Sequence, residues 1–209
     1  MGSAVRRLFG PYERQVTNAY RATFVDLAAW VEVIGQWAPG AVRILEVGCG
    51  EGAMTERLCA RYPEARITAI DLTPRLGRLF RGDAERVRFI QAPAEQIAAS
   101  EPASFDLIIL SDVLHHVPTH LRESLMQGIG RALAPKGIFA FKDWVVDRSL
   151  IHWACEASDR YITGDNVAYL TGPEMRDLLA RHFGPAALLR EQRVRPWNNN
   201  LAVLVSQSA

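Results

Sequence analysis

Hydrophobic positions along this chain follow two different rhythms. After Pro11, Val16, Tyr20, Phe24, Leu27, Val31 and Ile34 recur at steps of three and four, which predicts one stripe of an amphipathic helix ended by Pro39-Gly40. From Val42 onward the rhythm becomes a series of short aliphatic runs at Val42–Val47, Arg66–Ile70, Val87–Gln91, Phe105–Leu110 and Gly137–Asp143. Runs of this length without polar alternation predict strands buried on both faces. Helical patterns separate them: residues 52–61, a short helix opened by Pro74, a helical turn near Ala94–Ala99, and a longer helix with Leu121, Leu125, Ile129, Ala132 and Leu133 on its apolar side. Strand and helix in turn, with short links, predict a parallel sheet covered on both faces.

The last third changes character. Residues 145–170 show no sustained period and, with Trp144 at their edge, carry His152, Trp153, Tyr161 and Tyr169. We read them as an insert lying over a substrate site. Thr171-Gly172-Pro173-Glu174 is a capping-box start for a helix with Met175, Leu178, Leu179 and Phe183 on its buried face. Two strands follow, near Ala187–Val194 and Leu201–Val205, and the link from Arg195 to Asn200 suits an antiparallel hairpin with a longer loop.

Composition narrows the class. With 209 residues, 49% of them hydrophobic, the expectation is one α/β domain over residues 1–209, with residues 1–40 as an N-terminal helical cap. A net charge of +1 without a basic run argues against a nucleic-acid partner. The longest aliphatic run, Leu107 to Leu110, is too short to cross a bilayer, and the N-terminus lacks an apolar signal core, so a cytoplasmic protein is expected. Cys49, Cys59 and Cys155 have neither metal spacing nor an even framework, which suggests reduced thiols.

The candidate chemistry centres on Glu46-Val47-Gly48-Cys49-Gly50-Glu51-Gly52. Alternating glycines let the chain turn sharply and let a ligand lie against bare backbone N–H groups. Gly48-x-Gly50-x-x-Ala53 also fits a permissive dinucleotide fingerprint. Glu46, read as the last outward position of the strand, would repel a pyrophosphate but suits a ligand carrying an ammonium and a sulfonium. Asp71 follows about 20 residues later, where a doubly wound sheet presents a carboxylate to a ribose; a simple capping role before Leu72-Thr73-Pro74 is the alternative.

Taken in order, Glu46-x-Gly48-x-Gly50-x-Gly52, Asp71, Phe105-Asp106-Leu107-Ile108, Leu114-His115-His116-Val117 and Leu133-Ala134-Pro135-Lys136-Gly137 resemble the class I S-adenosylmethionine-dependent methyltransferases. The resemblance covers roughly residues 12–143. It implies a doubly wound, seven-stranded, mainly parallel sheet of order 3-2-1-4-5-7-6, with the last-placed strand antiparallel, and S-adenosylmethionine as cofactor. It places Glu46, Gly48, Cys49, Gly50 and Gly52 around the methionine moiety and Asp71 on the ribose. Leu72 falls on the adenine side, with Ala94 and Glu95, and Ser111, Asp112 and Val113 line the methyl side. Where the family usually has Gly-Asp-Ala-Glu, this chain has Ala92-Pro93-Ala94-Glu95, so the usual adenine-binding Asp is Pro93.

Methyl transfer needs alignment and dryness more than acid–base machinery, because a sulfonium methyl is already activated. A hydroxyl acceptor benefits from a base, and His116, His152 and Asp143 are the candidates, although Lys142 and Asp143 are equally readable as a mutual pair. His115 reads as a buried ring. Asp112, His115 and His116 have ligand-type side chains, but adjacent histidines after a strand point apart and no further ligand is evident, so no metal is expected. The acceptor's identity should reside in the aromatic insert and in Trp197-Asn198-Asn199-Asn200, with Arg190, Arg193 and Arg195 either meeting an acidic acceptor or lying solvated on an edge strand. The expected activity is methylation of a small organic molecule at oxygen. The alternatives are an RNA or protein methylase, a nicotinamide oxidoreductase, and a cofactor-binding protein that performs no transfer. The N-terminal helix and the aromatic insert are candidate homodimer contacts.

Overall fold

The computed structural model describes residues 24–159 and 167–206. Its elements in chain order are α1 (Leu27–Trp37), β1 (Arg43–Val47), α2 (Ala53–Arg61), β2 (Arg66–Asp71), β3 (Val87–Gln91), α3 (Ala94–Ser100), β4 (Phe105–Ser111), α4 (Thr119–Ala132), β5 (Leu133–Trp144), α5 (Leu150–Ser158), α6 (Gly172–Phe183), β6 (Leu188–Arg193) and β7 (Asn200–Ser206). The strands form one sheet of order β3-β2-β1-β4-β5-β7-β6. β1 lies parallel to β2 and β4, with Leu45 opposite Thr68 and Ile108. β7 is the antiparallel member, inserted between β5 and β6.

Continuous apolar runs are required here because both faces of the central strands are covered. Alternate side chains separate into two cores. Leu45, Ile108, Leu110, Phe139 and Phe141 pack with α3, α4 and α6, while Ile44, Ile67, Leu107 and Ile109 pack with α1 and α2. The capping box of α6 forms as expected, with Thr171 and Glu174 each accepting from the other's backbone.

Four elements differ from the periodicity reading. The N-terminal stripe is interrupted: Asp26 adopts an extended conformation and caps Ala29 N, so α1 begins anew at Leu27. Trp30, which the stripe omitted, is fully buried beside Ile34. Val16 lies outside the described residues, as do Tyr12, Tyr20 and Arg21, the residues of this segment that the sequence offers as ligand contacts. The segment opened by Pro74 is a set of turns, not a helix. Its donors go to the glycine turn instead of the preceding turn of a helix: Gly77 N bonds to Gly50 O and Leu79 N to Glu51 O, both at 2.9 Å.

In α4, Leu121 is exposed, and Leu133 already belongs to β5, pairing with Phe105 before Lys136 at φ +62° marks a bulge and Ile138 resumes the register opposite Leu107. The insert holds α5, which aperiodic spacing had not suggested, because its inward face is polar. Among the described residues, no helix is long and apolar enough to cross a membrane.

Replacing Trp30 by Ala should remove the largest buried side chain joining α1 to the sheet. We expect a loss of about 3–5 kcal/mol in urea unfolding, and a loss below about 1 kcal/mol would show that α1 does not carry this face.

Candidate active site

The C-terminal ends of β1, β2, β4 and β5 assemble the site. β1 leads into Gly48, Gly50 and Gly52, at φ +80°, +51° and +91°. At Gly48 a Cβ would stand 2.2 Å from Val113 Cγ2, so the turn and the loop after β4 touch only because no side chain intervenes. At Gly50 the corresponding direction is open, with no heavy atom within 4 Å. Its backbone is uncovered on that side.

Three hydrogen bonds clip this turn to β2. Gly48 N and Cys49 N donate to Ile70 O at 2.8 and 3.0 Å, and Gly50 N donates to Asp71 Oδ2 at 2.8 Å. The other Asp71 oxygen accepts from Thr73 N at 2.8 Å. The capping role and the turn-holding role are therefore combined in one half-buried carboxylate, and an ionised carboxylate has about four acceptor positions. Glu46 does not face outward: it is buried and accepts from Thr55 Oγ1 at 2.6 Å, tying β1 to the first turn of α2. Burial, then the charges of Glu46 and Asp71, push the Cys49 thiol far up, so it stays a neutral, unreactive small residue.

Leu72 is 68% exposed beyond the end of β2, and Gln91 Nε2 donates to its carbonyl at 2.9 Å. Ala94 is buried at the start of α3, and Glu95 is half-buried. Pro93 takes the N-cap position of α3 with no side-chain bond, so the departure at Pro93 removes a cap as well as a carboxylate.

On the other side of the glycine turn, two ion pairs, one buried and one half-buried, link the β4 loop to β5. Lys142, wholly buried, donates to Asp112 Oδ1 at 2.5 Å, while Asp112, at φ +56°, also accepts from Ser111 Oγ at 3.0 Å. Asp143 accepts from His115 Nδ1 at 2.5 Å, from His115 N at 3.1 Å and from Trp144 N at 2.8 Å. Lys142 and Asp143 therefore do not pair with each other; successive residues of a strand point to opposite faces, and each finds its partner in the β4 loop. Burial works against charge on the His115 ring, but the charge and hydrogen bond of Asp143 outweigh it and raise the imidazole above its ordinary pKa. Burial opposes ionisation of Asp143 too, and the His115 charge and hydrogen bonds hold it below the usual carboxylate range. Both shifts favour the imidazolium–carboxylate form of the pair.

Around it the insert supplies a polar cluster. Tyr169 stacks on His115 with ring centres 4.9 Å apart, and its hydroxyl donates to Asp159. Trp144 Nε1 donates to His152 Nδ1 at 3.1 Å, and the His152 ring meets Tyr169 edge-on. Cys155 sits 3.8 Å from the Tyr169 hydroxyl, its thiol pushed up to about 12 by burial and then by Asp159. Residues 167–170 are strapped down by Ala168 N to His115 O, by Arg122 Nη2 to Ala168 O, and by Val146 N to Leu170 O. Of the three candidate bases, Asp143 and His152 thus belong to one buried cluster and His116 stands exposed at its edge, 4.1 Å from His115 between ring centres. Tyr161 lies outside the described residues.

Sequence reasoning missed Arg122, Asp159 and the role of Tyr169. Nothing in their spacing marked them, because the strap brings them together from distant segments. In the final loop Asn199 and Asn200 are buried and donate to Val145 O and Phe24 O, while Arg190, Arg193 and Arg195 are exposed, in line with the edge-strand alternative. Among the described residues, no group of three or more His, Cys, Asp or Glu is arranged to hold a metal ion.

Residues 44–137 match the family model of a methyltransferase domain. A trans-aconitate 2-methyltransferase of Methylobacterium nodulans is 38% identical over 98 residues, covering 47% of this chain and 36% of that protein. A ubiquinone biosynthesis O-methyltransferase of Xanthomonas campestris is 37% identical over 103 residues, covering 47% of this chain and 41% of that protein. In both cases the match spans well under half the length of the curated relative. The 1,6-didemethyltoxoflavin-N1-methyltransferase of Burkholderia thailandensis, solved with S-adenosylhomocysteine, shares the fold with a TM-score of 0.68 at 21% identity, covering 98% of this chain and 88% of that one. Sheet order, glycine turn, family model and relatives converge: residues 44–137 match a methyltransferase domain, and the chain is similar in fold and sequence to the class I S-adenosylmethionine-dependent methyltransferases.

Proposed function

We propose that this chain transfers the methyl group of S-adenosylmethionine to a small organic acceptor, with oxygen as the acceptor atom. The observation that carries the reading is the clip between Gly50 and Asp71, which holds an uncovered backbone turn and a half-used carboxylate side by side. The open side of Gly50 leaves room for an amino-acid tail to lie close against the backbone, and the remaining acceptor positions of Asp71 suit the two hydroxyls of a ribose. The names of the curated relatives, a trans-aconitate methylase and a ubiquinone-pathway O-methylase, favour small acceptors and oxygen.

In this reading Gly48, Cys49, Gly50 and Gly52 surround the methionine moiety, with the buried Glu46 behind the turn. Leu72, Ala94 and Glu95 border the adenine, while Ser111, Asp112 and Val113 border the methyl group. When bound, the sulfonium supplies an activated methyl. The chain's own task is to align the acceptor with it and to exclude water. Lys142 neutralises Asp112, so the methyl side presents no unpaired carboxylate from that residue. For a hydroxyl acceptor, His116 is the base we assign, being the exposed imidazole at the edge of the cluster. Asp143 acts through His115, fixing the loop that carries both histidines, and His152 fixes Trp144. The described part of the insert, residues 145–159 and 167–170, serves as a lid over the acceptor.

Two outcomes follow. Incubation with methyl-labelled S-adenosylmethionine and a cell extract, read by mass spectrometry, should yield a labelled small molecule; label found only in RNA or protein, or in nothing, would contradict the proposal. The second concerns the dyad. A raised His115 pKa means that the native chain holds that proton more tightly than the unfolded chain does. The contribution is complete below the ordinary value of 6.5 and is lost as pH rises through the native pKa, while that of Asp143 is complete above 3.8 and is lost as pH falls through its depressed native value. Wild-type stability relative to His115→Asn should therefore shrink as pH rises from near 6.5 into the alkaline range. Parallel stability curves would show that the pair is not ionised.

A further inference from the structure

Helix α5 carries its polarity the opposite way from a helix that only covers a core. Its inward positions His152, Cys155 and Ser158 are polar or weakly polar and buried. Its outward positions are Leu150, 89% exposed, Trp153, 68% exposed, and the exposed Ala154 and Ala157. These four stand at i, i+3, i+4 and i+7, which is a single continuous stripe. The exposed Val146 precedes it in the chain.

The stripe is graded in size. Its N-terminal half is Leu and Trp, and its C-terminal half is two alanines. If the helix lies antiparallel on a copy of itself about a two-fold axis between Trp153 and Ala154, each large side chain meets a small one: Trp153 against Ala154 of the second copy, Leu150 against Ala157 of the second copy. A parallel pairing would set Trp against Trp. Interfaces built on a two-fold axis need this kind of self-complementarity.

Charge agrees with the same arrangement. α5 has no acidic residue in its first turn and no basic residue in its last. The exposed Arg148, just before the helix, would come over the C-terminal end of the opposing helix, where the last carbonyls and the Glu156 carboxylate concentrate negative charge.

We propose that the outward stripe of α5 is a homodimer contact, packed antiparallel on the α5 of a second copy of this chain. A nine-residue helix buries less than the roughly 800 Å² per partner of a standard stable interface, so the association is concentration-dependent. Because the inward face of α5 meets Tyr169 through Cys155, the contact also steadies the polar cluster beside His115.

The test is analytical ultracentrifugation of the full chain from about 1 to about 200 µM, a range in which a weak dimer changes its population by mass action. The average mass should rise toward twice the monomer. Ala154→Arg, which places a charged side chain at the axis on an exposed position, should weaken self-association at least about tenfold with an unchanged circular dichroism spectrum and thermal transition. Arg148→Glu should weaken it as well, and adding Glu156→Arg should restore it. A chain that stays monomeric throughout, or a dimer indifferent to Ala154→Arg, overturns the proposal. So does a monomer that co-sediments with phosphatidylglycerol vesicles through Trp153, which would identify the stripe as a lipid contact.

Discussion

The hydrogen bond from Gly50 N to Asp71, together with those from Gly48 N and Cys49 N to Ile70 O, is the constraint on which the site depends. Neighbouring parallel strands have no direct connection at their C-terminal ends, and a flexible glycine turn there would sample many shapes. These three bonds, with Gly77 and Leu79 donating back to the turn, fix one shape while leaving the Gly50 backbone uncovered. The entropic cost of ordering glycines is thereby borne by the fold before any ligand arrives. The closeness of Gly48 to Val113 passes that order on to the loop after β4.

From that loop the organisation continues into β5 through two ion pairs, of which only His115–Asp143 is buried on both sides. Lys142 with Asp112 and His115 with Asp143 each join a residue of the strand to a residue of the loop. Buried pairs of this kind add little stability compared with apolar residues of the same shape, since desolvation offsets most of the attraction. Removing one partner is another matter, and leaves a charge uncompensated at a cost of about 3–5 kcal/mol. The pairs therefore act mainly on geometry, setting where the β4 loop stands relative to the glycine turn. The polar inner face of α5 meets Tyr169, which stacks on His115, and the strap at residues 167–170 bonds to His115 O, so the insert is joined to the β4 loop.

The sheet was legible in the sequence because burial on both faces forces unbroken aliphatic runs, and Ile44, Ile67 and Ile108 could hardly belong to anything else. Gly48, Gly50 and Asp71 were legible for a similar reason: few other residues tolerate that backbone or supply that carboxylate. The acceptor side was not. Arg122, Asp159 and Tyr169 meet only through long-range folding, and a polar inward face hides α5 from any search for an apolar stripe turned toward the core. The turns after Asp71 were misread because Pro74 and the leucines after it mimic a helix start, whereas the backbone donors there serve the glycine turn.

The most direct test of the central claim is the affinity for S-adenosylhomocysteine, measured by calorimetry on the wild-type chain and on Asp71→Ala. The account predicts clear binding by the wild type and a loss of about 1–3 kcal/mol in the variant, the range for losing hydrogen bonds to a charged group. Equal affinities in two folded proteins, or no binding by the wild type, would contradict it.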